Sequence, residues 1–264
     1  MKNPYFELHK EFTAAGAGVL MSSGQACILY GIATFSKDGD WVIKETKESC
    51  GKVLDVLEKK QAIYRLGVPL DIYWLSQGLT SHFEYFLEDG YRMRVDFCSR
   101  PPRIKDIKRI WDNAGIVKNI AFVDIESLIL LKQTQRIRDY NVIGTLAEVI
   151  GFSQDRPDIA LYYLQDYNLL SKAIKKWPQE AKLCEREVVK ALLNKKSRKD
   201  IVALLAQEQD EKIQEDERRI QAIIERSKLY QKKFVQLRKK WLKLNVGLKE
   251  QHKELLATVQ EFLQ

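Results

Sequence analysis

The stretch TFSKDGDWVIK, residues 34–44, places Asp38 and Asp40 two residues apart at the start of a predicted β-strand. Side chains two residues apart on a strand lie on the same face of a sheet. Two carboxylates about 4 Å apart repel by roughly 4 kcal/mol at an effective dielectric of about 20. A divalent cation between them would remove this repulsion, and Mg²⁺ binds carboxylate oxygens together with substrate phosphates. The spacing therefore indicates a site for magnesium and a nucleoside triphosphate.

A third carboxylate is expected from HFEYFLEDGYRMRVDFCSR, residues 82–100. Asp89-Gly90 in the middle of this stretch is typical of a tight turn and predicts a β-hairpin. Asp96 lies on the polar face of its second strand, and two-metal phosphoryl transfer often uses such a carboxylate as metal ligand and general base. Two other interpretations stay open, namely that KDGDW is only a turn and that Asp96 is a surface residue on an edge strand.

A binding site for the phosphates is expected at SSGQACILYGIA, residues 22–33, which predicts a short apolar helix. Ser23 and Gly24 begin this helix, where free backbone amides can bind phosphate oxygens. Gly24 would also let a phosphate approach the backbone closely.

In sequence, residues 22–40 resemble the opening motif of the nucleotidyltransferase-fold proteins of the abortive-infection and toxin–antitoxin type. That motif runs Gly-Gly/Ser, a short helix ending in His-Gly, and then Arg-x-Thr-x-Asp-x-Asp. LILLKQTQRIRDY, residues 128–140, resembles the Lys…Arg-x-Lys-Asp helix of the same families. The resemblance extends from about Ser22 to Ile150.

The resemblance implies a magnesium-dependent enzyme, with one or two metal ions, that moves a nucleoside monophosphate from a nucleoside triphosphate to a hydroxyl group. It implies that Ser23 and Gly24 hold the phosphates and that Asp38, Asp40 and Asp96 bind the metal, with Asp96 as general base. It also implies nucleotide-binding or ordering roles for four residues of the later motif: Lys132, Arg136, Arg138 and Asp139. The implied acceptor is tRNA or another RNA, a protein or a small molecule, in a toxin-like or phage-defence role.

Four positions depart from the family pattern. Ser23 stands where glycine is frequent, Tyr30 replaces histidine, Thr34 replaces arginine, and Gly39 occupies a slot that is usually apolar. These departures favour an alternative function, a catalytically silent scaffold or antitoxin of the same fold. Such a protein would bind nucleic acid or a partner through the basic carboxy-terminal helix.

That helix is predicted from Glu208 to Leu244, because apolar residues recur there at steps of three and four. It would be about 55 Å long at about 1.5 Å per residue, too long to be covered by the front part alone. It must pair with a returning helix after Asn245–Gly247, with a second subunit in a homodimer, or with a protein partner. Its basic stretch suggests RNA binding through five residues, with a solvated face as the alternative: Lys232, Lys233, Arg238, Lys239 and Lys240.

The composition is that of a folded protein of 264 residues with 45% hydrophobic residues and a net charge of +8. The four cysteines are scattered without metal-ligand spacing, which disfavours a zinc site or a disulfide framework. No signal-peptide pattern or apolar membrane span is recognised, so we expect a cytoplasmic protein with no membrane association.

The predicted fold class is α+β, a nucleotidyltransferase-like mixed sheet with flanking helices, followed by a helical extension with a long coiled-coil-like helix. Strands are predicted at GDWVIK, at DIYWL (residues 71–75) and in the hairpin, and a helical pattern is predicted to continue through Ile63. The predicted domains are a nucleotidyltransferase-like domain at 1–152, a helical domain at 153–207, and the long-helix extension at 208–264.

Overall fold

The computed structural model describes residues 3–262. Within them, seven strands form one sheet in the order β3-β4-β5-β2-β1-β7-β6. The strands are β1 Val19–Ser22, β2 Gly39–Ile43, β3 Ile63–Gly67, β4 Ser81–Phe86, β5 Arg92–Cys98, β6 Gly115–Val117 and β7 Ile120–Phe122.

Helices accompany the sheet, and turns and loops join the elements. The helices are α1 Pro4–Ala14, α2 Ser23–Leu29, α3 Lys47–Lys59, α4 Ile72–Leu75, α5 Ile107–Asp112, α6 Ile125–Lys132, α7 Ile137–Ser153, α8 Pro157–Tyr163, α9 Tyr167–Lys176, α10 Pro178–Leu183, α11 Glu187–Leu193, α12 Arg198–Leu244 and α13 Leu248–Phe262.

The sheet is mixed. Strand β2 pairs with β5 in parallel and with β1 antiparallel, while β4 and β5 form the predicted antiparallel hairpin. The α+β class, with a mixed sheet, flanking helices and a helical carboxy-terminal region, is therefore confirmed.

Aromatic packing beneath β2 and β5 holds the centre of the sheet. Trp41 of β2 stacks on Phe97 of β5 with ring centroids 5.7 Å apart, and Phe12 of α1 meets both rings edge-on. The alternation predicted for β5 is observed, since Met93, Val95 and Phe97 are buried. The alternate residues Arg92, Arg94 and Asp96 are therefore on the opposite face of the sheet.

The long helix is confirmed as α12, which begins at Arg198 rather than at Glu208. Of the pairing options, the returning helix is present. Helix α13 follows a turn at Asn245, and its Glu254 accepts hydrogen bonds from Trp241 Nε1 at 2.9 Å and from Lys240 Nζ at 2.7 Å. Three of the apolar residues that recur along this helix are buried, namely Tyr230, Phe234 and Trp241.

Several predicted elements were wrong. DIYWL is not a strand, because Asp71 accepts a hydrogen bond from the Tyr73 amide and so caps the short helix α4. Ile63 begins β3 instead of continuing α3. The sequence also gave no prediction for three strands of the sheet: β1, β6 and β7.

The chain divides into two compact units. The first contains the residues up to Leu128 and those from Ile223 onward, and the second is Ile129–Ala222. The boundaries between these units differ from the predicted domain boundaries after residues 152 and 207. The predicted division into three domains stays a prediction. No helix among the described residues combines the length and apolar character needed to cross a membrane.

The second unit is helical. Its core contains Tyr140, Leu146, Leu170 and Val188, all buried. Arg186 lies at the start of α11 and donates hydrogen bonds from Nη1 to the carbonyl oxygens of Leu161 (3.1 Å) and Leu164 (2.9 Å), so it joins α11 to the end of α8.

Candidate functional site

A row of polar residues crosses four neighbouring strands in the middle of the sheet. Asp40 of β2 lies directly opposite Ser22 of β1 on one side and Asp96 of β5 on the other, and Asp96 lies opposite His82 of β4. Neighbouring strands are roughly 4.8 Å apart, and directly opposite residues point to the same face. The predicted Asp40 and Asp96 are therefore cross-strand neighbours, and we name this polar side of the sheet the carboxylate face.

Asp38 immediately precedes β2. It lies two residues before Asp40, so we assign its side chain to the same face of the sheet. Its Oδ1 lies 3.4 Å from Nη1 of Arg94, and the two side chains are 42% and 39% exposed. Such an exposed pair contributes only about 0–1 kcal/mol. The Asp38 carboxylate is therefore held weakly.

Asp96 has much stronger partners. Nη2 of Arg65 donates to both of its carboxylate oxygens, at 2.9 and 3.0 Å, and His82 Nδ1 lies 2.9 Å from Oδ1. Thr80 Oγ1 lies 2.7 Å from the other ring nitrogen of His82 and so helps to fix the ring. Burial alone would raise the pKa of Asp96, but the hydrogen bonds and charges of His82 and Arg65 outweigh it and lower this pKa.

The carboxylate face can be compared with the needs of a magnesium ion. Within residues 3–262, no group of three or more His, Cys, Asp and Glu side chains is arranged to hold a metal ion. Asp96 is bound by Arg65 and His82, and the convergence of three carboxylates on one metal ion stays a prediction. The oxygen donors themselves suit magnesium, with Asp38 and Asp40 as the residues that would hold it beside substrate phosphates.

The turn from β1 into α2 lies next to Asp40. The Ser22 hydroxyl donates to the Asp40 carbonyl at 3.1 Å. Ser23 has a φ of +50°, which lies in the left-handed region that favours glycine. A Cβ on Gly24 would lie 2.2 Å from the Ser36 hydroxyl, so this position admits no side chain.

Two residues that the sequence did not single out fix the loop carrying Asp38. Gln25 of α2 is fully buried and donates to the carbonyl oxygens of Ser36 (3.2 Å) and Asp38 (3.1 Å). The Tyr5 hydroxyl donates to the Lys37 carbonyl at 2.5 Å. The loop is thereby tied to both α1 and α2.

The unusual Gly39 between the two aspartates also has a structural reason. A Cβ at this position would lie 2.5 Å from the rings of both Trp41 and Tyr5. The rings thus occupy the space that any side chain at residue 39 would need. The substitution of Thr34, which is exposed, has no comparable explanation in the structure.

The four residues of the later motif, at positions 132, 136, 138 and 139, lie near the start of the second unit. Asp139 is buried and accepts hydrogen bonds from Thr134 Oγ1 at 2.6 Å and from Arg136 Nε at 2.9 Å, with Lys132 Nζ 3.8 Å away. Arg138 is exposed. Lys132, Arg136 and Asp139 therefore form one ionic cluster, which orders the start of α7.

The basic residues of α12 do not form one uniform surface. Lys232, Lys233 and Lys239 are exposed. Arg238 instead points to the sheet, where its Nη2 lies 2.5 Å from the buried carboxylate of Glu84, and Lys240 pairs with Glu254. Nucleic-acid binding by this helix stays a prediction.

Arg65 and His82 are the functional candidates that sequence reasoning missed. His82 could have been found, because a hairpin turning at Asp89-Gly90 places residue 82 opposite Asp96. Arg65 gave no signal, since β3 was not predicted. Cys98 is close to the row, but burial, together with the charges of nearby Asp40 and Asp96, raises the pKa of its thiol to about 12, so it is no nucleophile.

Comparisons with known proteins leave the family open. No protein-family model and no curated protein sequence matches the chain. Among solved structures, the chain is similar to a "putative nucleotidyltransferase from H. pylori", with 16% sequence identity and a TM-score of 0.42. The match covers 81% of this chain and 96% of that one.

Proposed function

We propose that this protein is a magnesium-dependent nucleotidyltransferase that transfers a nucleoside monophosphate from a nucleoside triphosphate to an acceptor hydroxyl and releases pyrophosphate. One observation supports this most, namely that Asp40 and Asp96 lie in register on neighbouring strands beside the β1–α2 turn. The turn leads into helix α2, whose first backbone amides can bind phosphate oxygens. Acidic side chains close to such amides are what a metal-bound triphosphate requires.

We assign a separate role to each residue of the carboxylate face and of the adjacent turn. Asp38 and Asp40 hold the magnesium ion, which when bound neutralises phosphate charge during transfer. Backbone amides at Ser23 and Gly24 bind phosphate oxygens. Asp96 accepts the proton of the acceptor hydroxyl once it has exchanged its bond to Arg65, and loss of that bond raises the pKa of Asp96, which makes it a stronger base.

Loss of a metal-binding carboxylate tests this function directly. We expect Asp40→Asn to reduce transfer of label from an α-labelled triphosphate at least about 100-fold, because a bound metal stabilises the transition state by several kcal/mol. Asp112→Asn is the matched control, since Asp112 is exposed at the end of α5. Equal transfer by wild type and Asp40→Asn would refute the assignment.

A second candidate function is a silent scaffold of this fold that binds nucleic acid or a protein partner. It is favoured by the bonds from Arg65 and His82 that occupy Asp96. Calorimetric titration with magnesium and each nucleoside triphosphate separates the two, because a scaffold gives no metal-dependent heat. Binding of triphosphate that needs both magnesium and Asp40 would exclude the scaffold.

A toxin-like or phage-defence role, and RNA such as tRNA as the acceptor, are proposals that rest on the sequence resemblance. Incubation of total RNA with each triphosphate, followed by mass spectrometry of the RNA, would detect an added nucleotide. The roles of Lys132, Arg136, Arg138 and Asp139 stay predictions from the same resemblance. A homodimer or a partner complex through the carboxy-terminal helix also stays a prediction, which the mass of the protein in solution tests.

A further inference from the structure

A cavity of about 420 Å³ lies between the β3–β4 edge of the sheet and the carboxy-terminal half of α12. Leu66, Val68, Tyr230 and Phe234 supply apolar and aromatic walls, and Arg238 also lines it. The volume lies within the roughly 300–1,000 Å³ that is usual for small-molecule sites. The space is thus large enough for a small organic molecule.

Two hydrogen-bond donors at this cavity are unsatisfied. Arg65 and Arg238 both line it, and the Nε atom of each is buried without a hydrogen-bond partner among residues 3–262. Buried donors nearly always have a hydrogen-bond partner in proteins, and a buried donor without one is destabilising. Each guanidinium uses Nη2 for a carboxylate, Arg65 for Asp96 and Arg238 for Glu84, and the Nε donor of each is left for another acceptor.

The charges around the cavity favour an anion as that acceptor. The described residues lining the cavity include no Asp or Glu, whereas Arg65, Arg238 and Lys239 all line it. The acidic partners Glu84 and Asp96 are already shared with Arg92 and His82 respectively. An anionic oxygen between the guanidinium groups would therefore meet uncompensated donors.

We propose that this cavity binds a small organic anion, with an apolar or aromatic body against Tyr230 and Phe234 and one carboxylate or phosphate group at Arg65 and Arg238. This site is distinct from the proposed magnesium–triphosphate site and does not require the transferase activity. It is linked to the carboxylate face by Arg65, since this side chain lines the cavity and binds Asp96. A ligand that draws Arg65 toward the cavity weakens its hold on Asp96.

The proposal can be tested with two fluorescent probes that share one body. 8-Anilinonaphthalene-1-sulfonate carries an anionic group, and N-phenyl-1-naphthylamine is its uncharged counterpart. We expect the folded full-length chain to bind the anionic probe at one saturable site, at least about tenfold more tightly than the uncharged probe. Comparable affinity for the two probes, or binding at many sites without saturation, would overturn the proposal.

Variants locate the binding. Ser227→Phe places a ring in the cavity, because Ser227 lines it, and should abolish binding of both probes. Arg238→Lys keeps a positive charge near Glu84 but removes the Nε donor, and should weaken only the anionic probe, by about tenfold. Arg226→Lys is the matched control, since Arg226 is exposed on the same helix and does not line the cavity. If Ser227→Phe does not fold, as its circular dichroism would show, Arg238→Lys alone decides, and wild-type affinity in that variant refutes the site.

Discussion

Acid should destabilise this protein well above the pH at which its carboxylates titrate, because of His9. The His9 ring is fully buried between two donors, with Trp41 Nε1 3.2 Å from Nδ1 and the Ala121 amide 3.1 Å from Nε2. A neutral imidazole has one acceptor nitrogen, whereas the charged ring has none. Protonation would therefore place an N–H group opposite an N–H donor on both sides of the ring.

The size of the effect follows from the pKa of His9, which burial lowers from 6.5 to about 4. Below pH 6.5 the unfolded chain binds a proton at this residue that the folded chain does not bind, so the free energy of unfolding falls as the pH falls. The complete loss between about pH 7 and pH 4 is roughly 3 kcal/mol, at 1.36 kcal/mol per unit. At pH 5 about 2 kcal/mol of it should already be lost.

Urea unfolding followed by tryptophan fluorescence at pH 7, 6 and 5 measures this loss. The signal is suited to the question because four of the five tryptophans, Trp177 being the exception, lie in the same unit as His9. His9→Gln removes the titrating group and keeps a side-chain acceptor, so it should be less stable than wild type at pH 7 but show a flatter dependence on pH. His252, whose pKa burial also lowers, accounts for the slope that is left. A slope in His9→Gln as steep as in wild type would refute this reasoning.

Three further predictions concern the carboxylate face and its support. Gly39→Ala should lower the free energy of unfolding by about 1–3 kcal/mol, measured by urea unfolding, because the new Cβ overlaps the Trp41 ring. Ser23→Gly should leave the free energy of unfolding unchanged or raise it by up to about 1 kcal/mol, because the left-handed conformation of Ser23 costs a non-glycine residue about 1–2 kcal/mol. Arg65→Met should raise the pKa of Asp96, seen in the carboxyl carbon shift during an NMR titration, and the stability that the ionised Asp96 contributes should be lost at a correspondingly higher pH as acid is added.

The sequence predicted the elements that have strong local signals. Asp89-Gly90 identified the hairpin, and the alternation in β5 correctly assigned Met93, Val95 and Phe97 to the buried side. The steps of three and four in α12 identified the long helix. Each of these signals depends on neighbours within a few residues, which is why one sequence was enough.

The remaining elements depend on contacts distant in sequence. Strand β1 is short and wholly buried, so it shows no alternation, and β7 is linked to the centre of the sheet through its parallel pairing with β1. The bond between Arg65 and Asp96 joins β3 to β5 across β4, and no local pattern encodes it. Hence the acidic residues could be predicted, but Arg65, which binds Asp96 from a strand two positions away, could not.

The ion pairs on the carboxylate face also determine the order in which its carboxylates can be used. The exposed pair of Asp38 and Arg94, at 3.4 Å, is worth at most about 1 kcal/mol and can be displaced by a cation at little cost. Asp96 is less than half as exposed and has two bonds from Arg65 and one contact with His82, so its release costs more. In the proposed transferase, a metal ion should therefore bind first at Asp38 and Asp40, and Asp96 should join it at a higher free-energy cost, because Arg65 and His82 must first release its carboxylate.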